Sequence, residues 1–570
     1  MLVRAGLYFR TARHIPLSQL WYFVRRRFLP QNGSSHSALE SAGTIRPAAL
    51  PLQQPLPAVK PCLRDGKFEF LAQTSDFSID SIDWRAQDFP KLWRYHLHYF
   101  DWLKDAECED AWAAHSILSW IVHNPAGCGD GWEPYPVSLR LVNWIKYFCA
   151  RGQAGCSLNA EWLFSLVQQG EWLNRNIEYH IRANHLFKNI VAMIWFCMYM
   201  QSEPTYRQWL EPYCDLLERE LKEQFNDDGG HYERSPMYHA ICLEDCLDVF
   251  NLLVSAGVNH SCVKRLWSVI DNGLTFLRLL SFADGKVALF GDSTLHGSHG
   301  WEALDAYWRK LIGGGRKLAP VAPDLLAHCR NTGFLIKETS HYKIVVATGG
   351  VSPDYQPGHT HCDMGSFELY TRHGRLVVDS GVSQYAAGDM RRYSRSSQAH
   401  NVVMVGGEDQ HELWGEFRVG ARAAIELLKL ETAATDFGDE TELVLKISSH
   451  SACDSPWCHT RAYHLGPVRI DIVDIVQSAK SVSVESNIHL HPDVDIQPEP
   501  HGFSLKVAGE LAARLFVSDA DNSSIENSFY CPDFGVELNN KRIRLQRSGS
   551  EITTLAVRIE MDPTDTEAEA

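Results

Sequence analysis

The sequence of 570 residues lacks several common patterns, and each absence argues against a class of protein. Its 15 cysteines include no CxxC pair, which argues against a cysteine-rich structural zinc site and favours buried, reduced thiols. Acidic residues outnumber basic ones by 70 to 54, and the net charge of −16 argues against nucleic acid as a partner. No apolar run suits a transmembrane helix or a signal-peptide core. We therefore expect a location in the cytoplasm or at the envelope of a bacterial cell, with the periplasm as the alternative.

The first 39 residues contain six arginines and no acidic residue, because Glu40 is the first acid. Such a basic arm can dock on the acidic body of the protein or make peripheral contact with an anionic membrane surface, and we favour the docked or solvated interpretation. Residues 31–61 are rich in Ser, Gly, Ala and Pro, which is typical of a linker. We assign residues 1–60 to this arm and linker.

Two kinds of hydrophobic periodicity divide the rest of the chain. Helical spacing occurs at 92–103, 139–148, 162–173, 185–199 and 243–256. Short connections between these segments favour a toroid or bundle of antiparallel helical pairs over residues 61–331. Alternating or β-branched runs follow at 334–337, 342–347, 367–370, 375–381, 442–446 and 468–473. They predict an antiparallel β-sandwich over residues 332–570.

Two polar clusters lie where predicted helices begin. Asn184 and His185 open an apolar helix, and an asparagine in such a place usually caps the helix. In residues 230–239, Ser235 and Pro236 suit the cap and the first turn, and Tyr238 follows them. Taken alone, the residues of either cluster are explained by a structural role in the helix.

A third cluster lies within residues 358–405, where His359, His361, His400 and Asp379 stand at the starts and ends of predicted strands. His361, Asp379 and His400 are separated by 18 (379−361) and 21 (400−379) residues, about one strand and one turn each. Adjacent strands could therefore bring them together as ligands of Zn²⁺. Cys362 is a competing ligand, although alternation along a strand would turn it away from His361.

In this order the clusters resemble the heparinase II/III family of polysaccharide lyases. The resemblance rests on Asn184-His185-Leu186-Phe187, residues 233–239 (ERSPMYH), His359-Thr360-His361-Cys362-Asp363, Asp379-Ser380-Gly381 and His400-Asn401. By motif it covers roughly residues 92–423. It implies a multidomain α and β protein, with an incomplete (α/α) toroid, an antiparallel β-sandwich and an active site in the groove between them. Alginate and oligoalginate lyases share this architecture, so the family does not fix the substrate.

The resemblance also implies roles for individual residues. Tyr238 would be the catalytic acid/base, His359 a second base or transition-state partner, and Asn184 and His185 the groups that neutralise a substrate carboxylate. His361, Asp379 and His400 would bind a structural Zn²⁺ beside the cleft. The candidate substrate-binding residues are Trp132 and Arg140, by position, and Arg234 and His239, as cations near Tyr238. For Trp132 and Arg140 the alternative is a structural role, as a packed tryptophan and an arginine that caps a helix.

The implied reaction is eliminative cleavage of a uronic-acid-containing polysaccharide or oligosaccharide. The C5 proton is removed, the O4 group leaves and an unsaturated product forms. The carboxylate beside C5 makes this proton a poor acid, so the negative charge must first be neutralised. A tyrosine, which ionises near pH 10, acts as the base only where cations favour phenolate.

The alternatives are a zinc-dependent glycan hydrolase, whose open metal site activates water, and a non-catalytic protein that binds acidic polysaccharide. The oligomeric state is open, with a dimer among the options.

Overall fold

The computed structural model describes residues 2–28, 47–155, 158–316, 324–435 and 438–562. Helices come first and strands follow, apart from a three-stranded antiparallel sheet at Leu63–Arg64, Lys67–Phe70 and Gln73–Ser78 that the sequence pattern did not predict. Most of the predicted linker, residues 31–46, lies outside the described residues. Within the described part, no helix combines the length and the apolar character needed to cross a membrane.

The helical region is a series of packed helices around a tryptophan-rich core. Its helices are Lys91–Tyr99, Asp110–His123, Pro134–Gln153, Ala160–Arg175, Ala183–Tyr199, Pro204–Gln224, Pro236–Ser255, Ser261–Leu279 and Trp301–Leu311. Three of them carry proline in the first turn, where its missing N–H removes no helical hydrogen bond. The predicted helical segments are confirmed, except that 92–103 ends early, where Phe100 adopts a φ of 62°.

The second region contains two large antiparallel sheets. A five-stranded sheet consists of Leu325–Cys329, Phe334–Glu338, Tyr342–Ala347, Phe367–Thr371 and Gly374–Val377 in sequence order. A ten-stranded sheet contains Val403–Val405, Ala424–Thr435, Gly438–Ser448, Trp457–Leu465, Arg469–His489, Val494–Glu499, Gly502–Val507, Glu510–Ser518, Asn522–Tyr530 and Leu538–Met561. Smaller elements of the second region are the helix Asp389–Arg395 and the ribbon Leu413–Trp414 and Arg418–Val419.

The five-stranded sheet is covered on both faces. Alternate residues such as Leu335 and Val346 enter the core shared with the ten-stranded sheet. The intervening residues Phe334, Ile336 and Val345 enter a separate core. That core contains residues of the helical region and its exit, namely Phe276, Leu280, Phe282, Ala288 and Phe290. Since side chains alternate across a strand, this sheet is the layer that joins the two regions.

The basic arm forms two helices, α1 (Leu2–Ala12) and α2 (Leu17–Phe28). From α1, the Nε of Arg10 donates to Oε2 of Glu412 at 2.7 Å, and this contact fixes the arm to the second region. Helix α2 rests on the helical region. The arm therefore docks on the body of the protein, as the favoured interpretation expected.

Candidate active site

Asn184 lies in the first turn of the helix Ala183–Tyr199 without capping it. The cap position is Arg182, which has a φ of 64° and makes no side-chain cap bond. The Nδ2 of Asn184 instead donates to Oε2 of Glu233 at 3.0 Å and lies 3.1 Å from Nε2 of His359. The default capping role is therefore absent, and the buried amide of Asn184 links two of the polar clusters.

Tyr238 lies in the first turn of the helix Pro236–Ser255 and also contacts His359. As the sequence predicted, Ser235 is the cap, and its Oγ accepts from the backbone N–H of Tyr238 at 3.3 Å. The phenol ring stacks on the imidazole of His359 with centroids 3.9 Å apart. Its hydroxyl lies 3.1 Å from the hydroxyl of Tyr385. Tyr238 and Asn184 thus both contact His359.

The surroundings of Tyr238 favour its neutral phenol. Burial raises the pKa of Tyr238 above its usual value, and the carboxylates of Asp292 and Glu233 raise it further. The hydrogen bond with Tyr385 and the positive charge of Arg391 oppose this shift without reversing it. Tyr238 therefore carries its proton at neutral pH.

A buried carboxylate, Asp292, holds two of the histidines. Its Oδ2 accepts from Nδ1 of His359 at 2.9 Å, and its Oδ1 accepts from Nε2 of His361 at 2.8 Å. The guanidinium of Arg391 pairs with both oxygens. Burial disfavours the charge, but Arg391 and the two histidines keep the pKa of Asp292 well below its usual range. Asp292 is therefore an ionised group that orients both imidazoles.

His185 is the more accessible cation of the site, with 34% of its side chain exposed. Its Nδ1 lies 3.3 Å from both carboxylate oxygens of Glu178, and its ring lies 4.5 Å from that of Tyr135. Burial favours the neutral imidazole, but Glu178, followed by the more distant Glu233 and Glu133, raises the pKa of His185. The positive charge of His185 therefore persists to higher pH than that of a free histidine.

The three predicted metal ligands lie in the buried interior beside this cluster. The rings of His361 and His400 have centroids 5.3 Å apart, and among the described residues nothing forms a hydrogen bond with the buried His361 Nδ1 or His400 Nε2. Such nitrogens are the donor atoms that zinc takes from histidine. Asp379 accepts from His400 Nδ1 at 2.7 Å and from the N–H of Gly381 at 3.1 Å, so in this arrangement the carboxylate orients His400. Two of the three predicted ligands thus offer a free donor nitrogen to a metal ion, and metal binding stays a prediction.

A different group has the tighter metal-like geometry. Among the described residues, Cys214, His260 and Cys262 place one potential ligand atom each within 4.8 Å of one another. His260 caps the helix Ser261–Leu279, and its Nδ1 accepts from the N–H of Cys262 at 3.1 Å. This nitrogen is thus already engaged in the helix cap.

Two of the predicted sugar contacts are buried in the helical core. Trp132 is 2% exposed and packs against Trp120 and Trp172. Arg140 is 0% exposed, with its guanidinium 3.8 Å from the ring centroid of Trp120 and its Nε donating to Gln169 at 2.8 Å. Their burial contradicts the prediction that they contact substrate, because tryptophan rings cover the side chains.

The two cations predicted beside Tyr238 are also engaged elsewhere. Both ring nitrogens of His239 are used, Nε2 with the carbonyl of Gly273 at 2.9 Å and Nδ1 with the N–H of His231 at 3.2 Å. The guanidinium of Arg234 donates to the carbonyl of Gly350. A substrate-binding role for His239 is contradicted by its burial, and Arg234 instead ties the helical region to the loop that follows the strand Tyr342–Ala347.

Sequence reasoning missed several residues of the cluster: Asp292, Tyr385, Arg391, Glu178 and Glu233. One available signal was the Gly-Asp-Ser sequence that follows the apolar run 287–290. Gly291 has a φ of 58°, and a Cβ there would lie 2.8 Å from the carbonyl oxygen of His359. Glycine thus allows the segment that carries Asp292 to approach the segment that carries His359.

Comparison with known proteins matches both halves of the chain to the family that the sequence motifs resemble. The profile of the heparinase II/III N-terminus matches residues 67–311, and that of the heparinase II/III-like C-terminal region matches residues 322–560. A heparin-sulfate lyase of Pedobacter heparinus is 23% identical over 363 residues, which is 57% of this chain and 53% of that protein. A heparin-sulfate lyase of Bacteroides stercoris is 24% identical over 246 residues, 40% of this chain and 37% of that protein. The matched part is therefore about half of these relatives or less.

Solved structures share the fold. A crystal structure of heparinase III has a TM-score of 0.69 at 17% identity, covering 87% of this chain and 82% of that chain. The heparan sulfate lyase of Pedobacter heparinus has a TM-score of 0.57 at 17% identity, covering 93% and 88%. The predicted architecture, an incomplete (α/α) toroid followed by an antiparallel β-sandwich, is confirmed. With both profiles matched in order over most of its length, the chain belongs to the heparinase II/III family.

Proposed function

We propose that this protein is a lyase that cleaves a uronic-acid-containing polysaccharide or oligosaccharide by β-elimination. The observation that carries the proposal is the convergence of Asn184, Tyr238 and His359 from three distant parts of the chain. Elimination needs a group that neutralises a carboxylate, a base for the C5 proton and an acid for the leaving oxygen. An amide donor, an imidazole and a protonated phenol supply these three functions.

Substrate binding begins with the carboxylate. The Nδ2 of Asn184 and the imidazole of His185 are the donors proposed to hold it, and each donor is worth about 3 kcal/mol where negative charge develops. Glu233 accepts one hydrogen of the Asn184 amide and so directs the amide plane. Glu178 supports the positive charge of His185. Together these contacts would make the adjacent C5 proton more acidic.

The base is proposed to be His359. Its Nδ1–H donates to Asp292, which leaves the Nε2 lone pair 3.1 Å from the Asn184 amide. A bound substrate would displace this contact, so that Nε2 could take the C5 proton while the amide turns to the carboxylate. Tyr238, which keeps its proton at neutral pH, would then protonate the departing O4 oxygen. One turnover places a proton on His359 and removes one from Tyr238. Transfer of that proton back to the phenolate, directly or through Tyr385 or water, restores both groups.

The metal site is proposed to be structural. His361 and His400, with Asp379, would hold Zn²⁺, which when bound would brace the strands under the cleft. All three side chains are fully buried. Their burial favours a metal ion that holds the strands together over one that activates water, because activation needs an open coordination position. The chain's own contribution is to hold His359, two residues away, through the shared carboxylate of Asp292.

The substrate class is proposed from chemistry and from relatives. The cluster is built for a sugar carboxylate, and similar proteins carry the name heparin-sulfate lyase. A panel of heparan, hyaluronan, alginate and glucuronan polymers and oligomers would identify the polymer. An unsaturated product absorbs in the near ultraviolet and is lighter by one water than a hydrolysis product. Mass spectrometry of the products therefore separates the lyase from a hydrolase, and binding without cleavage would indicate the non-catalytic alternative.

Tyr238→Phe tests the proposed acid. Loss of a general acid is expected to lower kcat by about 10²–10⁴-fold with little change in fold, because only the hydroxyl is removed. Tyr213→Phe is the matched control, because its hydroxyl donates to Oδ1 of Asn174 on another helix and takes no part in the cluster. Near-normal formation of unsaturated product by Tyr238→Phe would show that the assignment is wrong.

A further inference from the structure

Helix α2 of the basic arm exposes its apolar face. Leu17, Trp21, Val24 and Phe28 have exposed fractions of 84%, 56%, 51% and 78%. Their spacing of four, three and four residues places them on one side of a helix, since each residue turns about 100°. These four residues form the apolar stripe of the arm.

The polar side of α2 is the side that docks. The Nε2 of Gln19 donates to the carbonyl of His180 at 3.0 Å, and Gln19 is buried. Tyr22 stacks on Tyr179 with centroids 4.9 Å apart. An ordinary surface helix buries its apolar face and exposes its polar one, so α2 has the reverse orientation. The contacts of Gln19 and Tyr22 hold the apolar stripe outward.

Positive charge borders the stripe. Arg25 and Arg27 are exposed, and the Arg25 guanidinium lies 5.4 Å from the ring centroid of Trp21. Residues 1–39 contain six arginines and no acid, so their charge is +6 while that of the whole chain is −16. Because salt screens charge beyond about 10 Å, a membrane close to α2 would be attracted by the local arginines. An outward apolar stripe flanked by arginines is the pattern of a helix that lies in a lipid interface.

We propose that the apolar stripe of α2 docks the protein on a membrane surface that contains anionic lipid. The helix lies in the plane of the interface, with Leu17, Trp21, Val24 and Phe28 among the acyl chains and the arginines at the headgroups. Phe9 of α1 is a further exposed apolar side chain of the arm. His180, on which α2 rests, precedes His185 by five residues, so the lipid contact would lie beside the candidate active site.

The test is flotation of the full chain with vesicles of phosphatidylcholine alone or mixed with phosphatidylglycerol. The protein is expected to float with the mixed vesicles at low salt and to be released as salt is raised. Serine at all four stripe positions should lower the partition coefficient at least tenfold, because each large side chain contributes a factor of about ten or more. Arg25→Gln with Arg27→Gln should lower it by roughly fivefold for each arginine.

The matched control is Leu428→Ser with Ile552→Ser, which removes exposed apolar side chains from the second region. It should bind vesicles like the wild type. Equal binding by the stripe variant and the wild type would overturn the proposal, as would equal binding to both vesicle types. A dimer that is lost in the stripe variant, with no vesicle binding by the wild type, would overturn it in favour of self-association. Unchanged thermal melting of the variants excludes misfolding as the cause.

Discussion

Substitution of Asn184 by aspartate provides a sharp test of the candidate site, because it preserves shape and changes charge and donor capacity. The Asn184 amide donates to Glu233 at 3.0 Å and lies 3.1 Å from the acceptor nitrogen of His359. Asn184→Asp removes both N–H groups and brings a second carboxyl group against Glu233. The variant should therefore lose the proposed contact with the substrate carboxylate.

The structure gives the size of the effect. Two carboxylates 3.0 Å apart repel by about 5 kcal/mol at an effective dielectric constant of about 20, so the pair keeps one proton. Burial already raises the pKa of Glu233, which favours this shared proton. Removal of a preorganised donor lowers kcat by about 10²–10³-fold, or about 3–4 kcal/mol. As pH falls the pair gains protons and O–H donors, so the activity of the variant relative to wild type should rise.

The assay is the rate of unsaturated product formation across a range of pH, for wild type and Asn184→Asp. Asn251→Asp is the matched control, a buried amide near the opposite end of the helix that carries Tyr238, where it donates to the carbonyl of Gln53 at 2.8 Å. It is expected to lower the melting temperature while kcat is retained. An activity of Asn184→Asp within about threefold of wild type, or a ratio that does not change with pH, would refute the donor role.

Two further predictions concern charge and metal. The positive charge of His185 is present at low pH and is lost as pH rises through its raised pKa, so kcat/KM should fall on the alkaline side. Glu178→Gln removes the carboxylate that raises this pKa and should move that fall to lower pH; an unmoved profile would contradict the reasoning. Elemental analysis should find one zinc per chain, and a chelator should lower the melting temperature, since a ligand at 100 times its Kd stabilises by about 2.7 kcal/mol. His400→Ala should already melt at the chelated temperature, and untreated protein without stoichiometric metal would rule out the site.

Hydrophobic periodicity was enough to predict most of the fold. The nearly continuous burial of the helix Ala183–Tyr199 and the apolar run that begins the strand Phe334–Glu338 are properties of local sequence, and both elements were expected. The sheet at Leu63–Ser78 was missed because its strands have two to six residues, too few to show a period. The end of the first long helix at Phe100 was missed because a left-handed backbone conformation leaves no mark in a phenylalanine.

The sequence predicted residues of the candidate site only where they belong to motifs that follow one another in a recognisable order. The structure brings Asn184, Tyr238 and His359 together, as their ordered motifs suggested, and their catalytic roles stay predictions. Asp292 carried no comparable signal, because its partners His359 and Arg391 lie 67 and 99 residues away. The opposite error occurred at Arg140, which its position suggested as a sugar contact but whose guanidinium is covered by a tryptophan ring.

The layered core also determines which parts of the chain can exist alone. The two family profiles divide near residue 320, but the hydrophobic interior does not divide there. One face of the five-stranded sheet packs against Phe276 and Phe290, which belong to the part matched by the first profile. A fragment of residues 324–562 would expose that face to water as a contiguous apolar patch. The two halves thus form one folding unit, and recombination that separates them would yield an aggregating product.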